Sequence, residues 1–206
     1  MDFDFRSCKK TAVMGGAFDP IHYGHLAAAQ TVFDRLGVEK VVFMPLGDAA
    51  HKHMEGASAE DRYEMVRLAV EDNEAFAISD MEIRREGKTY TVDTIGEIRK
   101  QNPDIKLYFI MGADEIMSLE SWRQPEVLLK MCSFAAVTRP GYSNEAVKAQ
   151  AERLMHKYGC DIRFIEIPSL DISSSELRQR IKDGRSIKYL LPKETEEYIY
   201  SHNLYK

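Results

Sequence analysis

Hydrophobic residues in this chain fall into two alternating patterns. Short unbroken apolar runs rich in Val, Ile and Phe occupy residues 11–14, 40–44, 76–79, 106–111, 134–138 and 163–167. Runs of that length between polar or turn-forming residues predict strands buried on both faces. Between them, helical spacing of apolar positions predicts helices over 24–36, 60–71, 91–101, 124–130 and 144–158, and two more close the chain at 173–183 and 193–201. Strand and helix in alternation predict βαβ units, hence a mostly parallel α/β sheet with helices on both faces. Gly37 is placed as a helix C-terminal residue, Ser58 as an N-cap, Thr91 as an N-cap in the structural reading of its segment, and Asn102-Pro103 as a stop before the next strand. Residues 45–56 are polar and small, which predicts a loop. No repeat or linker divides the 206 residues, so one domain spanning 1–206 is expected. In such sheets ligands collect beyond the carboxyl ends of the strands, so the segments after Met14, Met44 and Met111 are the first places to look for chemistry.

Composition narrows the classes of function. A net charge of −5 argues against general binding of nucleic acid; any phosphate site must be a local cluster of basic groups and amides. Cys8, Cys132 and Cys160 are too dispersed for a zinc ribbon or a disulfide framework, and Cys132 reads as a small core hydrophobe. The first ten residues are charged, which is unlike a secretory leader, and no apolar stretch approaches ~18 residues. No membrane association and a cytoplasmic setting are therefore expected. A homo-oligomer remains open.

The first strand runs into Gly15-Gly16-Ala17-Phe18-Asp19-Pro20-Ile21-His22-Tyr23-Gly24-His25. Two glycines after a strand let backbone amides approach a ligand closely. The segment has neither Walker nor G-x-G-x-x-G spacing. His22 and His25, three apart at a helix start, can face the same side of the first turn, where the helix already favours an anion. One histidine capping the helix and the other packing in the core is the structural alternative. A metal site formed by His22, His25, His51 and His53 is another, although no cysteine or carboxylate cluster supports it.

The pattern G-G-x-F-D-P-x-H-x-G-H resembles the H-x-G-H nucleotidyltransferase superfamily. Near the C-terminus, Ile172-Ser173-Ser174-Ser175-Glu176-Leu177-Arg178 resembles that superfamily's second phosphate motif, although serines there would serve equally as caps. Four further segments resemble its nicotinate-nucleotide adenylyltransferase branch: Ala50-His51-Lys52, Tyr90-Thr91-Val92-Asp93-Thr94, Met111-Gly112-Ala113-Asp114 with Ser121-Trp122, and Tyr189-Leu190-Leu191-Pro192. Ala49 and Ala50 depart from the branch's two prolines, and Ala17 stands where threonine is commoner.

The resemblance implies a Rossmann-like doubly wound fold and a reaction of ATP with nicotinate mononucleotide by direct in-line attack. His22, His25 and Lys52 would be catalytic. Gly15, Gly16, Phe18, His25, Gly112, Asp114, Ser174, Ser175 and Arg178 would bind ATP. Ala17, His51, Lys52, Thr91, Trp122 and Arg123 would bind the acceptor, with Arg123 either meeting its carboxylate or facing solvent. Mg²⁺ would arrive with the triphosphate, because no carboxylate cage is visible and no protein metal site is expected. Rival readings are a phosphopantetheine adenylyltransferase and a non-catalytic nucleotide-binding domain.

Overall fold

Six parallel strands form the central sheet of the protein, a computed structural model that describes residues 3–49, 56–142 and 144–206. The strands among the described residues are β1 (Lys10–Gly16), β2 (Lys40–Pro45), β3 (Asp48–Ala49), β4 (Phe76–Ile78), β5 (Lys88–Thr89), β6 (Lys106–Gly112), β7 (Ser133–Thr138) and β8 (Ile162–Glu166). The large sheet runs β4-β2-β1-β6-β7-β8, and every pairing in it is parallel. In order of appearance its strands read 3-2-1-4-5-6, the doubly wound order, with the switch between β1 and β6. Register aligns Met14 with both Phe43 and Ile110, so Gly15 and Gly16 lie where the chain reverses direction across the sheet.

The helices are α1 (Tyr23–Leu36), α2 (Ala59–Val70), α3 (Thr91–Gln101), α4 (Pro125–Met131), α5 (Glu145–Tyr158), α6 (Ser174–Lys182) and α7 (Lys193–Ser201), with 3₁₀ turns at Phe5–Ser7 and Ala113–Ser121. Alternate strand residues feed two cores. Ala12, Met14, Phe43 and Ile110 pack with Val32, Met65, Leu177 and Ile199, from α1, α2, α6 and α7. Val13, Val42, Phe109 and Phe134 face the other way onto Ile95, Leu129 and Ala151, from α3, α4 and α5. Each buried side chain of this size contributes roughly 1.5–3 kcal/mol, so the alternation fixes the strand register. Cys132 lies in the second core, as expected of a small hydrophobe.

Boundary signals act as the sequence indicates at several helix ends. Gly37 ends α1 in the left-handed region at φ 57°, and the Ser58 side chain accepts the Asp61 N–H at the start of α2. Most element bounds shift by a residue or two from expectation, and three differences bear on the account. The segment read as loop over 45–56 contains β3, which pairs in parallel with β5; two-residue strands leave no periodic trace in sequence. β8 begins one residue earlier, at Ile162. Thr91 is the first helical residue of α3, not its cap; Tyr90 holds the cap position and makes no side-chain cap bond.

Candidate active site

The chain leaves β1 through Gly15 and Gly16, turns at Phe18 (φ 49°), passes a cis Asp19–Pro20 bond and enters α1 at His22. His22 is the N-cap of α1. Its Nδ1 accepts the Gly24 N–H at 3.2 Å, and the Nδ1 of His25 accepts the His22 N–H at 3.3 Å. This is a reciprocal capping box built from imidazoles in place of the usual hydroxyl and carboxylate. The two rings stack, with centroids 3.8 Å apart and planes at 28°. The capping alternative and the shared-face reading thus hold together.

Because both Nδ1 atoms accept, each neutral ring carries its proton on Nε2. Burial holds His22 down to about 4. His25 is only half-buried by area, but it is ringed by His22 and by Phe18, whose centroid is 5.2 Å away. Burial and the neighbouring His22 push it down to about 3. Near neutral pH the pair therefore presents two uncharged donors at a helix N-terminus.

A cavity of about 630 Å³ opens over the switch point, lined by Gly15, Gly16, Ala17, Phe18, His22, Gly24 and His25 on one side. Gly112, Thr91 and Trp122 line it on the other. Trp122 meets Phe109 edge to face at 6.1 Å, and its indole N–H donates to Ser118 Oγ at 3.4 Å. A second cavity of about 670 Å³ shares Ala17, Phe18 and His25 with the first and adds Ser174, Arg178, Lys182 and Lys206. The first is large enough for much of a nucleotide, and the second is the basic one.

Other expected site residues are placed differently. The Ser174 hydroxyl donates to the Pro20 carbonyl at 2.9 Å, which braces α6 against the loop after β1. Ser173 supplies the cap of α6, and Ser175 exchanges a hydrogen bond with the Ser173 hydroxyl at 3.2 Å. Asp114 accepts the Tyr142 hydroxyl at 2.8 Å outside the cavity lining. The Arg123 guanidinium lies over the Tyr90 ring at 4.3 Å, also outside that lining. Ala50, His51 and Lys52 lie outside the described residues. Among the C-terminal residues, Leu190 accepts the Tyr23 N–H at 3.2 Å and Leu191 is buried, so that segment secures the start of α1.

Three further residues in or beside the site were not among those expected from the sequence. Arg62, 2% exposed, donates to the carbonyls of Ala17 at 2.9 Å and Leu46 at 2.6 Å, tying the loops after β1 and β2 together. An arginine in Glu-Asp-Arg-Tyr reads as surface. Glu82 lines the first cavity with its carboxyl raised by burial, and Thr94 donates to it at 2.7 Å. Arg139 lines the same cavity just beyond β7, a strand-end position that could have drawn attention. Among the described residues no three His, Cys, Asp or Glu side chains cluster in a way that could hold a metal.

The parallel sheet, the switch-point cavity and the paired histidines at a helix N-terminus define a nucleotidyltransferase-type protein, and residues 13–180 match the cytidylyltransferase-like family model. A Clostridium tetani protein named "Probable nicotinate-nucleotide adenylyltransferase" is 41% identical across 96% of this chain and all of its own length. A Thermoanaerobacter protein of the same name is 43% identical over 96% of this chain and 94% of its own. The chain belongs to the nicotinate-nucleotide adenylyltransferase family. The fold also matches Plasmodium falciparum nicotinic acid mononucleotide adenylyltransferase complexed with NaAD, at a TM-score of 0.77 and 22% identity, covering 96% of this chain and 97% of the other.

Proposed function

We propose that this chain joins nicotinate mononucleotide to the AMP part of ATP, giving nicotinate adenine dinucleotide and pyrophosphate in NAD biosynthesis. The observation that carries the reading is the stacked, neutral His22–His25 pair, whose two rings line the first cavity while His25 also borders the second. An oxygen of the acceptor phosphate forms a bond to the α-phosphorus of ATP. The bond from that phosphorus to the bridging oxygen breaks, and pyrophosphate leaves with the electron pair. Charge grows on the α-phosphate oxygens, where the two Nε2–H groups and the helix N-terminus favour it. The acceptor phosphate is already ionised near neutral pH, so no general base is needed.

In this reading Gly15, Gly16, Phe18 and Gly112 border the ATP, and Arg178 with the amides of Ser174 and Ser175 meets its terminal phosphates. Thr91 and Trp122 border the pyridine, Ala17 and His51 are assigned to the acceptor, and Lys52 is assigned to phosphate as a catalytic residue. Asp114 stays assigned to the ribose of ATP and Arg123 to the acceptor carboxylate, although Arg123 rests on the Tyr90 ring. Mg²⁺ would travel with the triphosphate and offset its charge, and no step is assigned to a protein-held metal. One domain spanning 1–206 carries all these groups. We place the enzyme in the cytoplasm, in keeping with its three free thiols. No helix among the described residues is long and apolar enough to cross a membrane.

The test is pyrophosphate release from ATP with nicotinate mononucleotide, its amide counterpart and phosphopantetheine as acceptors. The acid nucleotide is expected to turn over fastest. Turnover with another acceptor but none with nicotinate mononucleotide overturns the assignment, and no pyrophosphate release with any acceptor would make the chain a mere nucleotide binder.

A further inference from the structure

The last residues of the chain return to the site. Beyond α7 the Leu204 N–H bonds back to the Ile199 carbonyl at 3.0 Å, and Asn203 and Tyr205 hold left-handed backbone at φ 53° and 65°. Residues with side chains rarely keep that conformation unless their surroundings require it. Tyr205 is turned inward: its hydroxyl donates to Asp19 Oδ1 at 2.7 Å and lies 3.9 Å from Met65 Sδ. Burial and the Asp19 carboxylate push the phenol far above its ordinary range, so it stays a donor.

Asp19 is 6% exposed, and several distant stretches meet on it. Its Oδ1 also accepts the Ala57 N–H at 3.0 Å. Its backbone carbonyl accepts Arg178 Nη1 at 2.7 Å, while its Oδ2 stands 3.7 Å from that same nitrogen. A Cβ on Gly56 would come within 1.8 Å of Oδ2, so no side chain fits there. One carboxylate thus joins the loop after β1, residues 56–57, α6 and the C-terminal tail. Tyr205 and Arg178 also both line the basic cavity.

We propose that Tyr205 is a positioning residue for the triphosphate end of the site, acting through Asp19. By holding Oδ1 it keeps the carboxylate from closing on Arg178, so the guanidinium, tied only through Nη1 to the Asp19 carbonyl, keeps its other N–H groups for the phosphates of ATP. Without the hydroxyl, Asp19 keeps a single neutral donor on Oδ1. Arg178, already 3.7 Å away, then becomes the strongest remaining partner, and a closed ion pair near ~2.8 Å would compete with ATP. The inference rests on the reading of this cavity as the ATP phosphate site.

The test is Tyr205→Phe, which removes one oxygen and keeps the ring. The KM for ATP is expected to rise about tenfold, with the KM for nicotinate mononucleotide within twofold and the melting temperature within a few degrees. Adding Asp19→Asn, which cannot ion-pair with Arg178 but can still accept from Ala57, should recover most of the loss. Titration with α,β-methylene ATP gives the same comparison with no acceptor present, as a tenfold weaker Kd. An unchanged Kd, an equal rise in both KM values, a fall in melting temperature alone, or no recovery in the double variant overturns the proposal. Wild-type protein that binds the analogue but does not use nicotinate mononucleotide would remove the acceptor assignment and leave this inference to the Kd comparison. Wild-type protein that fails to bind the analogue would remove both.

Discussion

Acid is expected to destabilise this protein through its stacked histidines. In an unfolded chain both imidazoles titrate near ~6.5. In the fold, burial holds His22 at about 4 and His25 at about 3. Below pH ~6.5 the unfolded chain binds protons that the folded chain refuses, so stability falls as pH falls and levels off once the folded values are passed. At pH 5 the gap from the unfolded pKa is roughly 1.5 units, about 2 kcal/mol for each ring. His25 is half-buried and the two rings couple, so the pair is expected to cost about 2–4 kcal/mol in total. Urea unfolding of the wild type and of a His22→Gln/His25→Gln double variant, each at pH 7.5 and 5.0, isolates the pair, because every other titrating group cancels in the difference. The wild type should lose about 2–4 kcal/mol more than the variant between the two pH values. Equal losses, or ring resonances that titrate near 6.5 by NMR, would refute the reasoning.

Two substitutions probe the site directly. His25→Ala should lower kcat by roughly 10²–10³-fold, the scale of one lost transition-state donor, while the protein remains folded; an effect confined to KM would mean that His25 only binds. Trp122→Ala removes the edge-to-face partner of Phe109 and should raise the KM for nicotinate mononucleotide roughly 2–10-fold with little change for ATP, read from steady-state kinetics with each substrate varied.

The sheet was legible because its central strands are buried on both faces. Val41, Val42 and Phe43 are all inaccessible, and an uninterrupted apolar run is what such a strand must look like. Helix ends were legible where one residue type does the work, as Gly37 and Ser58 do. The β3–β5 ladder was not, since two residues per strand are paired by tertiary placement and no period can show. In the site, His22 and His25 could be read because their partners lie within three residues. The roles of Ser173 and Ser174 could not be divided, because what separates them is the carbonyl of Pro20, 154 positions from Ser174. Arg62 and Tyr205 escaped for the same reason. Tyr205 meets Asp19 across 186 positions, and nothing local distinguishes it from any tyrosine near a chain end.

The imidazole cap on α1 has a consequence for what counts as active protein. The bonds that decide where the helix begins are also the bonds that decide which ring nitrogen carries hydrogen. Tautomer selection is thereby completed during folding, and binding need not reorganise it. A molecule whose first turn has frayed has lost its aimed donors, however intact its core. The competent population equals the population with that turn closed, so a ligand that grips the turn would raise the number of working molecules as well as occupy them.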